Sequence, residues 1–301
     1  MVNIIPIAVH TTIDQGVRNG TPGKARNRVK SIKLIAGIGA LILLSACGGG
    51  KKEEPQHLVF VERPVEGIYN AALDELNAGN HRLAALLFDE VERQHPYSTW
   101  ARRAMLFSAY AYYEANKYEE AVGATNRFIK LHPGNKHLGY AYYLKAVCYY
   151  EQITDVGRDQ DNTKQASEAL REVIRRFPTS EYARDAQLKL DMTRDHLAGK
   201  EMAIGRYYQK DHNYIAAINR FRNVLKDYQT TSHTPEALYR ITETYLALGI
   251  DNEAQVSAAV LGYNYPGDKW YERSYDLLQS KDLKPKADEG SWISRTMRNI
   301  L

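Results

Sequence analysis

Cys47 stands where chemistry is most easily argued from residue order. Basic residues at Lys24, Arg26, Arg28, Lys30 and Lys33 lead into an apolar run over residues 34–44, followed by the small residues Ser45 and Ala46. That order is a secretory leader with small residues before the cut. The run is 11 residues long, too short to span a bilayer as a helix, which takes about 20. Cys148 is the other cysteine; with Cys47 committed to the leader's end it has no partner, and a buried, unreactive thiol is expected. Residues 154–162 alternate carboxylates with polar groups, but they lack the Asp-x-Asp-x-Asp-Gly order and the closing Glu of a calcium loop. A protruding loop is expected there, with Asp161 or Asn162 capping the next helix. The nine histidines show no HExxH spacing, no glycine-rich loop precedes a strand-like run, and no serine sits in a nucleophile elbow. Catalysis, a metal and a dissociable cofactor are therefore not expected.

The end of the leader, Leu44-Ser45-Ala46-Cys47, resembles the bacterial lipobox. The resemblance implies diacylglycerol on the Cys47 sulfur, cleavage before Cys47 and acylation of the new amine. Two or three chains, at about 0.8 kcal/mol per buried methylene, hold a soluble domain on a leaflet far better than one. Gly48 occupies the position where many such proteins carry the Asp that retains them in the inner membrane, which points to the outer membrane. Residues 1–27 are too long and mixed for an ordinary leader start, and Val29 is read as the true beginning. Residues 1–46 are thus the signal. Residues 47–63, which open on three glycines and two lysines after the cysteine, form a lipidated tether with reach from the membrane.

The chain carries 40 basic and 36 acidic residues, a net charge of +4. Residues 1–46 hold six of the basic ones (Arg18, Lys24, Arg26, Arg28, Lys30, Lys33) and one acidic, Asp14. Without them 34 basic face 35 acidic, a net charge of −1, and nucleic-acid binding loses its electrostatic basis. Hydrophobic residues make up 44%, with only six Phe against 22 Tyr, which favours helix-on-helix packing with half-wet aromatics.

What must position any partner surface is a repeat. Ala84, Phe88 and Pro96 return as Ala121, Thr125 and Pro133, as Ala166, Leu170 and Pro178, as Ala217, Phe221 and Gln229, and as Ala254, Ala258 and Pro266. Each alanine stands 12 residues before the terminator, and five residues before it stands Gly79, Asn116, Asp161, His212 or Gly249. This matches the second half of a tetratricopeptide (TPR) unit, in which a small residue lets two helices touch and proline ends the second. The expected fold is an all-α, TPR-like solenoid of five helix pairs. Repeats one to three cover residues 64–179; repeats four and five and a capping helix over residues 270–278 fill 180–280. Terminator spacings of 37, 45, 51 and 37 residues exceed the usual 34. One helix of some 30 residues, from Ser180 to about Lys210, accounts for the longest. Residues 281–301, polar with a short apolar finish, are read as a flexible tail.

The first helices of repeats two and three overlay at a shift of 37, with Ala109, Tyr112 and Tyr113 falling on Ala146, Tyr149 and Tyr150. First helices line the concave face of a TPR array. Tyr69, Leu106, Tyr110, Tyr113, Tyr143, Val147 and Tyr150 are accordingly the candidate walls of an apolar peptide groove, since tyrosine offers contact area at low entropy cost. The same rings could instead fill the seams between repeats.

Lipobox, tether and five repeats with a loop inserted in the third, covering residues 45–278, resemble the BamD (ComL-like) family of lipoproteins of the outer-membrane β-barrel assembly machinery. Tyr110-Ala111-Tyr112-Tyr113, Arg127-Phe128-Ile129-Lys130-Leu131, Phe177-Pro178-Thr179-Ser180-Glu181-Tyr182 and Ala217-Ile218-Asn219-Arg220 carry that resemblance. It implies a periplasm-facing scaffold that docks on a POTRA domain of the barrel-forming BamA subunit, works beside other assembly-machinery lipoproteins and recognises unfolded outer-membrane proteins. The family's docking arginine falls on Arg220, with Arg222 beside it. Gln229 in place of proline and the unmatched tail depart from the pattern. A pilotin lipoprotein or a cell-division coordinator would share the lipobox and the repeats.

Overall fold

The computed structural model describes residues 63–155, 158 and 160–298, all within one compact unit that begins at Val59. Cys47, the signal and most of the tether lie outside the described residues. Twelve helices are present among the described residues. Five pairs follow in order: α1 Val65–Asn77 with α2 His81–Gln94, α3 Thr99–Glu114 with α4 Tyr118–Leu131, α5 Leu138–Tyr150 with α6 Asp161–Arg176, α7 Glu181–Lys210 with α8 Tyr214–Asp227, and α9 Thr234–Ala247 with α10 Asp251–Asn264. Then come α11 Lys269–Gln279, packed on α9 and α10, and α12 Trp292–Met297. None of the described helices is long and apolar enough to cross a membrane.

The repeat anchors explain the pairing. Ala84, Ala121, Ala166, Ala217 and Ala254 are all 0% exposed, as are Phe88, Thr125, Leu170, Phe221 and Ala258 four residues on. One helical turn separates the members of each couple, so each second helix turns a small and a filling side chain inward together. Within four of the pairs the link is as short as a chain reversal allows. Gly79, Asn116, His212 and Gly249 take φ of 56° to 80°, and the next residue's N–H closes back on the first helix, as in Asn80 N to Glu75 O at 2.9 Å and Ile250 N to Tyr245 O at 2.9 Å. This is the Schellman ending, in which a left-handed residue satisfies carbonyls that the helix leaves open. The third pair departs from the pattern: Asp161 is the first residue of α6, not a turn residue, because α5 ends at Tyr150, with residues 151–160 before α6 begins, and the tight link is not formed. The expected cap by Asp161 or Asn162 is not formed either. Gln160 takes the cap position without a side-chain bond, and Asp161 pairs with Lys164 at 3.6 Å.

The second helices end alike. His95, His132, Phe177, Tyr228 and Tyr265 have φ of −130° to −132° and ψ of 34° to 59°, a geometry outside the helical region that a following proline disfavours. Tyr228 adopts it before Gln229, so in repeat four packing sets the break without the proline. Ser98, Ser180 and Asp268 then start α3, α7 and α11, each side chain accepting a hydrogen bond from an N–H of the first turn.

Helix α7, 30 residues long, carries Ala186 and Leu190 into one buried cluster with α5 and α6, and Ala198 and Met202 into another with α8 to α10. The Phe221 ring of α8 lies so close to the α7 backbone at Gly205 that a Cβ there would be 2.4 Å from its Cε1.

The C-terminal residues differ from the flexible tail expected. Ile293 is 0% and Met297 2% exposed, packed into the cluster of α8 to α10. Trp292 Nε1 donates to the Tyr245 hydroxyl at 3.0 Å, and Ser291 Oγ to Glu253 at 2.9 Å. Polar composition hid three apolar side chains, spaced 292, 293 and 297, that share one helical face and meet the open edge of the last repeats. Cys148 is fully buried, as expected, and burial pushes its thiol up to about 12, so it stays protonated and unreactive.

Candidate partner-binding surfaces

The seven groove candidates divide into two groups. Tyr69, Leu106 and Val147 are each 5% exposed. The Tyr69 ring lies 4.8 Å from Trp100 and 5.6 Å from Phe88, which makes it packing between repeats rather than a wall open to solvent. Tyr110, Tyr113, Tyr143 and Tyr150 are half-buried on the first helices α3 and α5. Tyr143 donates to Asp185 at 2.6 Å and stacks on Tyr182 at 5.3 Å. Lys189 holds the same Asp185 at 2.9 Å and lies 5.5 Å over the Tyr150 ring, whose hydroxyl donates to the Met192 sulfur at 3.5 Å. Burial, helped by Glu151, drives the Tyr113 phenol upward, and burial beside Glu114 pushes Tyr110 up to about 12. Both rings are therefore neutral in any physiological solution, apolar bodies with a donor at one end.

The sequence reading missed the continuation of this wall on α7. Leu188 and Met192 are both 62% exposed, and their four-residue spacing puts them on one face beside Tyr150. The signal was present as an apolar pair in an otherwise charged helix. It is ambiguous alone, because i, i+4 apolar pairs are usually core.

Arg220 and Arg222 stand on α8. The Arg220 guanidinium reaches both carboxylate oxygens of Glu201 on α7 at 3.4 Å, and Asn223 donates to the same carboxylate at 2.9 Å. The Arg220 side chain remains 38% exposed while Glu201 is 19% exposed. Nη1 is thus engaged inside the chain, in a guanidinium that carries five donors in all. Arg222 stacks on the α12 ring of Trp292 at 4.8 Å, so its place is tied to the C-terminal segment.

Helical pairs built on small inward residues, with aromatic side chains along the first helices and a charged surface on a second helix, define a TPR-type scaffold protein. The chain matches YfiO, a family described as outer membrane lipoprotein, over residues 61–261. It is 53% identical over 253 residues to the outer membrane protein assembly factor BamD of Caulobacter vibrioides, spanning 83% of each chain. It is 44% identical over 249 residues to BamD of Rickettsia prowazekii, spanning 83% of this chain and 99% of that one. A solved thermophilic TPR protein of Thermus thermophilus aligns with a TM-score of 0.33 and 17% identity, over 72% of this chain and 100% of that one. The chain belongs to the BamD family of outer membrane protein assembly factors. Pilotin and division-coordinator readings are set aside by that membership.

Proposed function

We propose that this protein is a non-enzymatic scaffold, anchored by lipid on Cys47 at the periplasmic face of the outer membrane, that presents unfolded β-barrel proteins to the barrel-forming subunit. It takes no cofactor beyond that lipid and no nucleic acid. Arg220 and Arg222 belong to the surface for a BamA POTRA domain, and the groove of Tyr110, Tyr113, Tyr143 and Tyr150 to the client. Other assembly-machinery lipoproteins complete the set of partners. The observation that carries the client role is the set of four half-buried tyrosines on α3 and α5 with exposed Leu188 and Met192 on α7 beside Tyr150. Such a wall suits an extended segment with alternating aromatic side chains, as at the ends of barrel strands. Purifying the native lipoprotein from outer membranes tests the whole reading: BamA should co-purify, and recovery of a secretin or of division proteins in its place would reject it.

Two consequences are separately measurable. Because the thioether needs the thiol, Cys47→Ala should accumulate as unprocessed precursor; mature protein fractionating with the outer membrane in that variant would reject lipidation at Cys47. Tyr113→Ala should weaken crosslinking to a peptide of alternating aromatic residues several-fold. Its melting temperature should fall by no more than about 3 °C, the size of a loss of roughly 1 kcal/mol in a domain of this length. A steep fall in step with binding would make the ring structural.

A further inference from the structure

First helices α1, α3, α5 and α7 pack side by side, but α7 and α9 make no comparable contact. Between them, and bordered by α11, lies a cleft of about 560 Å³, inside the range of roughly 300–1,000 Å³ typical of ligand sites. Its walls are bridged by polar groups. Arg206 on α7 reaches Glu236 on α9 at 3.1 Å, and Gln209 donates to Glu243 at 3.2 Å and to Thr244 at 3.1 Å. Arg240 closes the set, binding Glu236 at 3.3 Å and Glu243 at 2.8 Å. Two guanidinium groups thus face two carboxylates and balance. Lys210, at the end of α7, and Lys281, just after α11, also line the cleft, and neither has a side-chain partner among the described residues. Their chain neighbours Asp211 and Asp282 are not among the lining residues. Leu246, Ala247 and Leu277 add apolar surface to the lining.

We propose that this cleft is a second peptide site, which takes an acidic segment of a partner protein with an apolar side chain between its carboxylates. Charge complementarity names the occupant: the internal pairs cancel, so the unmatched charge is the two lysines, and apolar residues share the same lining. A nucleic acid is a poor match, because the chain without its leader is net −1 and offers no wider basic stripe. A membrane surface is a poor match because two lysines are few for an anionic leaflet, which clusters of about four to eight basic residues bind. The site is distinct from the surface of Arg220 and Arg222 and from the tyrosine groove, and its failure leaves those readings standing.

The test uses the full chain and fluorescent peptides that alternate Glu with Leu or Lys with Leu, with binding followed by anisotropy at low and high salt. The Glu/Leu peptide should bind, more weakly as salt rises, and lose at least about tenfold in affinity to the variant carrying Lys210→Glu and Lys281→Glu. Both positions are exposed, so that variant should keep its helical content and melting temperature. It should also gain affinity for the Lys/Leu peptide. Equal binding of both peptides to the unmodified chain, no binding of the Glu/Leu peptide, or undiminished binding to the double variant would each overturn the proposal. Capture by anionic vesicles that is lost in the same variant, without peptide binding, would overturn it too and reassign the lysines to lipid headgroups.

Discussion

Phe221→Ala should lower the stability of the array by about 3–5 kcal/mol, the cost of removing a fully enclosed aromatic side chain and leaving its cavity behind. Phe221 is 0% exposed and its ring lies against the bare backbone of Gly205, where even a methyl group would have no room. Relaxation cannot fill such a hole easily, because the surrounding wall is the main chain of a long helix. The pairing also dictates a rescue. Gly205→Ala alone should cost about 1–3 kcal/mol by overpacking, offset in part by the roughly 1 kcal/mol that alanine gains over glycine inside a helix. In the background of Phe221→Ala the clash is gone, so Gly205→Ala should become neutral or stabilising, and the two effects should fail to add. Urea denaturation of the two single variants and the double variant measures this; additive costs would mean that the two residues do not share one space.

Arg220→Glu should abolish co-purification with BamA while leaving circular dichroism unchanged. If the guanidinium meets a carboxylate at a desolvated interface, removing it costs about 2–5 kcal/mol of affinity, a loss of roughly thirtyfold or more. Its internal partner makes the interpretation sharper. Glu201 lies 3.4 Å away, so a glutamate at 220 would also repel it, though exposed pairs of this kind are worth only about 0–1 kcal/mol to folding. Exchanging the charges, with Glu201→Arg and Arg220→Glu together, restores the internal pair but not the charge offered outward. Docking should stay lost in the exchange variant. If docking returns there, Arg220 only positions α8, and the interface lies elsewhere.

The repeat was legible because its physics is local. A small residue where two helices touch, a left-handed turn residue five positions earlier and a break 12 positions later recur along the sequence, and Ala84, Ala121, Ala166, Ala217 and Ala254 are the buried residues in the structure. The long helix was legible for the same reason, as a periodic run without a break between Ser180 and Asp211. Contacts between elements were not. Nothing in the sequence near Arg220 announces Glu201, 19 positions earlier, because the length of α7 decides which of its residues reaches α8. Leu106 and Val147 could not be told from groove residues, since the inner face of a first helix changes from wall to seam within one residue of rotation. The C-terminal helix escaped because the open edge that it covers exists only once α8 and α10 have packed.

The length of α7 has a mechanical consequence. Stacked helical repeats ordinarily touch only their neighbours, so each joint is a place where the stack can flex. Helix α7 is about 45 Å long at 1.5 Å per residue, and it is seated at one end beside α5 and α6 and at the other against α8 to α10. It runs through the middle joint as a strut through a hinge. Bending there would have to break main-chain hydrogen bonds rather than slide side chains past one another. Repeat three, with Tyr143 and Tyr150 on α5, is therefore keyed to repeats four and five, so a tilt of the last repeats carries that part of the tyrosine wall with it.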